Sequence, residues 1–169
     1  MGLDMYAYAA DADLVGKEQI DIPVFERAYQ KFGFNTWTDA DAEGKTDAEI
    51  EEYFASQREA LDEMEKQGIL LRNFAYWRKF NHLHGWMENL YYAKGGEKEF
   101  NCTTVRLMPE DLDALESLAS TKALQPTGGF FFGDGRDFDD DDRDAVSSFI
   151  ANARAAIKDG KAILYDSWW

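Results

Sequence analysis

Apolar and polar residues alternate from the start of the chain. Over residues 2–9, Leu3, Met5 and Ala7 fall on one side and Asp4, Tyr6 and Tyr8 on the other, the period of two expected of a strand. Residues 10–45, broken by Pro23, Gly33 and Gly44, read as an irregular insertion with one short amphipathic piece near Val24–Phe32. Thr46-Asp-Ala-Glu49 has the spacing of a capping box, and Ile50, Phe54, Leu61 and Met64 then recur at helical intervals until Gly68. A second helix is predicted over about 71–93, ending at Gly95-Gly96. Phe100–Leu107 reads as a strand. Pro109 opens a helix that carries Leu112, Leu115 and Leu118, because a proline at the first turn has no amide to leave unpaired. Phe130–Phe132 reads as a strand between glycines. Asp139–Asp142 leads a helix through Val146, Phe149, Ile150, Ala153 and Ile157, and Lys161–Trp169 closes the chain as a strand. The predicted order is β-α-α-β-α-β-α-β. This is an α+β domain spanning 1–169, with a single mixed sheet of about four strands covered by helices.

The 71–93 segment is the richest in chemistry, since it holds both histidines and two of the five tryptophans. Wound at about 100° per residue, it buries Tyr76, Phe80, Leu83, Trp86, Met87, Leu90 and Tyr91. Arg78 and His82 lie opposite that arc, and Trp77, Asn81, His84 and Glu88 stand at its edge, where a pocket would open. Glu88, four residues on, is placed to orient His84. Lys79 falls within the apolar arc, where it either lies along aromatic surface or joins Arg78 as a second cation for an anionic ligand. His82 and His84 diverge by about 200° on a helix, so the pair is not read as a metal site and no cofactor is expected. Trp77, Arg78, Lys79, Asn81, His84, Glu88, Asp4 and Asp166 form the candidate binding set, with no catalytic residue assigned. Asp4 and Asp166 each sit in a terminal strand, and would approach one another if those strands pair.

Other patterns carry less. The stretch Gly128–Gly135 matches neither phosphate-loop spacing, and Asp134–Asp144 lacks the glycine and closing glutamate of a calcium loop. Cys102 is read as a small buried strand residue; as the only cysteine it excludes an intrachain disulfide. Ser167 has no nucleophile-elbow context.

The formal charge of −15 disfavours direct nucleic-acid and anionic-membrane binding, and suits a partner with a basic surface. No apolar run reaches the roughly 18 residues of a membrane span, and the N-terminus lacks a secretion signal, so a cytoplasmic protein is expected.

Met1-Gly-Leu-Asp-Met-Tyr6, Tyr76-Trp-Arg-Lys-Phe-Asn-x-Leu-His-Gly-Trp86, Pro126-Thr-x-Gly-Phe-Phe-Phe-Gly133 and Tyr165-x-Ser-Trp168 together resemble a family of small proteins of tailed phages, prophages and plasmids. Some of its members carry a phosphoglycerate kinase label. No residue here supports that label, since the chain is too short for two lobes and lacks a phosphate loop. The resemblance implies origin in a phage or mobile element, hence the host cytoplasm, rather than a reaction. Three functions are then open. The first is an accessory protein that binds a host or defence protein with a basic surface, including as an acidic nucleic-acid decoy. The second is a binder of a small anionic ligand such as a nucleotide, through the aromatic and basic residues above. The third is an acid–base enzyme built on His84 with Asp4, Asp166 or Glu88.

Overall fold

A computed structural model describes residues 2–32, 43–128 and 136–169. The chain runs β1 (Asp4–Asp11), α1 (Ala12–Val15), α2 (Val24–Lys31), α3 (Asp47–Lys66), β2 (Leu70–Arg78), α4 (Asn81–Ala93), β3 (Val105–Leu107), α5 (Pro109–Ser120), α6 (Asp140–Lys158) and β4 (Lys161–Trp168). The four strands form one sheet in the order β2-β1-β4-β3, so the first and last strands of the chain are central neighbours. Every pairing is antiparallel. The fold is α+β, and the sheet is antiparallel rather than mixed.

The strand alternation sorts residues between two helical layers. Leu3, Met5, Ala7 and Ala9, with Ile163, Tyr165, Val105 and Leu107, pack against α4, α5 and α6 through Leu83, Met87, Tyr91, Leu112, Leu115, Val146, Phe149 and Ile150. On the opposite face Ala10, Leu70, Ala162 and Leu164 meet Leu14, Val15, Val24, Ala28, Tyr29, Ala60 and Met64 from α1, α2 and α3. The expected capping box at Thr46 is present, and the acidic run that leads α6 forms a second one. Thr46 Oγ1 accepts from the Glu49 amide (3.3 Å) while Glu49 Oε2 accepts from the Thr46 amide (2.8 Å), and Asp139 and Asp142 exchange the same bonds at the start of α6. Capping satisfies amides that have no partner inside the helix.

The predicted helix over 71–93 is two elements. Residues Leu70–Arg78 are a strand paired to β1, and only Asn81–Ala93 is helical. Lys79 separates them with a left-handed backbone, φ 55°, which a continuous right-handed helix cannot accommodate. Aromatic-rich segments fit a pleated, half-buried surface as readily as a helix face, and pairing with β1 decides between the two. The predicted strand Phe100–Leu107 shortens to Val105–Leu107, since Cys102 also takes a left-handed φ of 54°. Phe130–Phe132 lies outside the described residues. On α3, Met64 is buried as expected, whereas Phe54 is 47% exposed.

Within α4, Gly85 meets a crossing segment. A Cβ there would stand 2.9 Å from Thr127 Cβ, so the helix has no room for a side chain at that turn.

Candidate functional site

The two halves of the 71–93 segment place the expected site residues in different environments. His84 lies wholly within the core, with Nδ1 2.9 Å from the Tyr165 hydroxyl and its ring stacked 5.6 Å from Phe100. Burial lowers its pKa to about 4, so it is a neutral core imidazole, not a residue at a pocket's edge. His82, expected to face solvent or a loop, is buried and packs edge-on against Phe138, in the loop before α6. The two rings therefore serve separate contacts. Among the described residues no group of three or more His, Cys, Asp or Glu side chains is placed to hold a metal ion.

Trp77 turns to the core side of β2, 5.0 Å from Phe149, and the adjacent Arg78 turns to the other face. Glu88 accepts from the Thr127 side chain, and burial raises its pKa. Lys79, Asn81 and His82, with Phe80 and Arg136, border a void of about 10 Å³, roughly one water. The nucleotide pocket expected from Trp77, Arg78, Lys79, Asn81 and His84 is thus not assembled. Its members divide between the core, a water-sized void and the opposite face.

Asp4 and Asp166 share one face of neighbouring strands, in adjacent rows. The β1–β4 register pairs Asp4 with Trp168 and Tyr6 with Asp166; β1–β2 pairs Asp4 with Arg78 and Tyr6 with Tyr76. Paired residues in an antiparallel ladder point to the same face. Two rows, Arg78–Asp4–Trp168 and Tyr76–Tyr6–Asp166, therefore line one end of the sheet opposite the α4–α6 layer. The α1–α3 layer covers only the other end. Its boundary is marked by Tyr8, whose ring meets Phe25 of α2 edge-on at 5.1 Å.

At the uncovered end Trp168 is 57% and Tyr76 53% exposed. The Tyr76 hydroxyl donates to Asp4 Oδ1 (2.6 Å), Arg78 Nε stands 3.8 Å from the same oxygen, and the Tyr6 ring lies between those of Tyr76 (5.3 Å) and Tyr8 (6.4 Å).

At Asp166 this surface deepens into a cleft of about 240 Å³ lined by Asp21–Glu26, Lys98, Cys102, Thr103, Thr104 and Asp166. Its far wall is built by the chain around residues 20–22 docking on β3. The Asp21 amide donates to Thr104 O, and the Ile22 amide to Thr104 Oγ1. Two of the four described non-glycine residues with left-handed backbones, Asp21 and Cys102, line it. Such strain persists only where the surroundings impose it, and it clusters at binding sites.

Burial pushes the Asp166 carboxyl up to about 6, opposed by the Ser167 amide that donates to Oδ1 (2.7 Å). Asp4 is not among the causes, so these carboxylates are not an acid–base dyad of the proton-sharing kind. Burial, and then the Asp166 charge, raise the Tyr8 hydroxyl and the Cys102 thiol. Cys102 is exposed rather than buried in a strand, and its raised pKa keeps it a protonated thiol. The catalytic pairing of His84 with these aspartates is not assembled either: His84 meets Tyr165 on the core face, whereas Asp166, the next residue, faces the other way.

Comparison with protein-family models, with curated proteins and with solved structures finds no match.

Tyr6, Tyr8, Tyr76, Trp168, Lys98 and Thr103 were not among the expected site residues. The alternation Asp4-x-Tyr6-x-Tyr8 facing Asp166-x-Trp168 was the signal that held part of this set, and it becomes readable only once the register is known.

Proposed function

We propose that this chain is a non-enzymatic binding protein that docks a basic protein surface on the uncovered end of its sheet. The observation that carries this reading is the interleaving of aromatic rings, Tyr76 and Trp168 exposed and Tyr6 half-buried between them, with the carboxylates of Asp4 and Asp166 on one face of the sheet. Tyrosine and tryptophan dominate binding energy at protein interfaces, and their faces attract cations. The charge of −15 steers a basic partner toward the molecule from a distance. The resemblance to proteins of phages and mobile elements makes a host or defence protein the natural partner.

A nucleic-acid decoy would hold free carboxylates along one face at phosphate-like spacing. Here acids stand on both helical layers, and many are closed into pairs: Arg72 with Asp62 and Glu65, Arg143 with Asp140 and Asp144, Arg154 with Asp113 and Glu116. Direct docking through the sheet face therefore has more support than mimicry.

The test is titration of the protein with an arginine-rich peptide, comparing Tyr76→Ala/Trp168→Ala with a variant neutralised on α3, Glu59→Gln/Glu63→Gln. The sheet-face variant should bind at least about tenfold more weakly, a loss typical of interface anchors, and the α3 variant close to wild type. Equal losses from both would reduce the interaction to net charge and overturn the proposal.

A further inference from the structure

We infer that the cleft at Asp166 receives the guanidinium of an arginine presented by the partner docked on the adjoining sheet face. This inference rests on the docking reading above and names the anchor within it.

The cleft's chemistry selects a cationic hydrogen-bond donor. Three carboxylates line it, Asp21, Glu26 and Asp166, against one cation, Lys98, which already pairs with Asp21 at 3.0 Å. Asp166 receives the Ser167 amide, and no cation lowers its pKa. A largely buried carboxylate without a counter-charge is an unfavourable arrangement that an incoming cation relieves. In the same cleft Thr103 Oγ1 is buried without a hydrogen-bond partner among the described residues. The guest should therefore donate to carboxylates on facing walls of the cleft, Asp166 and Glu26, which a planar fork of N–H groups does better than a compact ammonium.

Size and surroundings agree. The volume of about 240 Å³ is below the roughly 300–1,000 Å³ of sites for drug-sized molecules, and suits the end of a side chain. Asp166 forms both a wall of the cleft and the end of the Tyr76–Tyr6–Asp166 row, so an arginine entering here arrives across aromatic faces. The left-handed backbones of Asp21 and Cys102 are held by amide bonds to Thr104 O (2.9 Å) and Ser167 O (2.8 Å), which fix the cleft walls.

The test uses the full chain at low salt and neutral pH, with two probes: an N-acetyl-arginine amide and an arginine-containing basic peptide. Heat of binding is read by calorimetry, and folding of each variant is checked by its melting curve. Both probes should bind saturably, the peptide more tightly. Asp166→Asn should weaken both by about tenfold or more, Glu26→Gln at the lip by less, and the lysine amide should bind more weakly than the arginine amide. Ser147→Ala, on the exposed side of α6 in the opposite layer, should leave both probes unaffected.

Unchanged binding by both Asp166→Asn and Glu26→Gln would overturn the inference. If the peptide binds and Trp168→Ala releases it while Asp166→Asn does not, the cleft assignment fails and the docking surface stands. If the arginine amide binds but the peptide does not, the source is a free guanidinium compound, and both the partner arginine and the docking reading fall.

Discussion

His84, buried on α4, packs against one face of β4, Asp166, half-buried, projects from the other face of that strand, and the two do opposite things. His84 is enclosed by Phe100 and Tyr165 in closed packing, where desolvation leaves it neutral and its Nδ1 meets a hydroxyl. Asp166 is desolvated by the sheet but forms the wall of an open cleft, where a guest can reach it. Burial alone does not make a site. A polar group satisfied inside a core contributes specificity to the fold, whereas one left under-compensated beside open space is available to a ligand.

The largest contrast between the faces is in stability. Leu83→Ala, in the core beside His84, removes a fully buried side chain and should cost about 2–5 kcal/mol. Chemical unfolding measures it, and a loss below about 1 kcal/mol, no more than an average substitution costs, would mean the α4 layer packs more loosely than described.

The pH dependence separates the two groups next. His84 falls from an ordinary 6.5 to about 4, so the folded state stays neutral where the unfolded chain takes up a proton; stability is lost as pH falls through that window. Asp166 rises from 3.8 to about 6, so the folded state keeps a proton that the unfolded chain has released; stability is lost as pH rises through that window. Glu88, also raised by burial, acts with the sign of Asp166. The slopes oppose one another between about pH 4 and 6, each worth about 1–2 kcal/mol after allowing for partial solvent access. Asp166→Asn should steepen the loss on acidification, and His84→Gln should flatten or reverse it. Unfolding midpoints measured across the window that stay parallel among all three proteins would contradict this account.

On the uncovered face, Trp168→Ala should change stability by no more than about 0.5 kcal/mol, as exposed substitutions do, while weakening the basic peptide about tenfold, or 1.4 kcal/mol. A stability loss comparable to that of Leu83→Ala would show this tryptophan to be a structural residue. The smallest effect on folding belongs to Cys102. Alkylating its exposed thiol should leave the melting temperature within a degree or two yet block the arginine probe, because the adduct occupies the cleft. The raised thiol pKa makes that reaction slow near neutral pH.

Much of the architecture was legible in local signals. β1 and β4 announced themselves by alternation, α3 and α6 by their caps, and α5 by Pro109. The 71–93 segment was misread because its aromatic residues satisfy a helical period as well as a strand's. Lys79 and Phe80 alone separate the two elements, and nothing in the identity of Lys79 predicts its left-handed backbone. Asp4 and Asp166 stand out by their aromatic neighbours, but Arg78, Lys79, Asn81 and His84 group together only on a continuous helix that the chain does not form.

The chain's order of residues by itself determined which positions in β1 and β4 share a face, where the capped helices begin, and that the molecule is strongly acidic. These follow from periodicities and pairings within a few residues. Tertiary structure decided that the first and last strands lie side by side, that Tyr76 and Arg78 complete their outer rows, and that the chain near residue 20 closes a cleft on Asp166. Those juxtapositions join residues far apart in the chain, and their register is set by which side chains the packed layers can bury, a property of the whole molecule rather than of any local stretch.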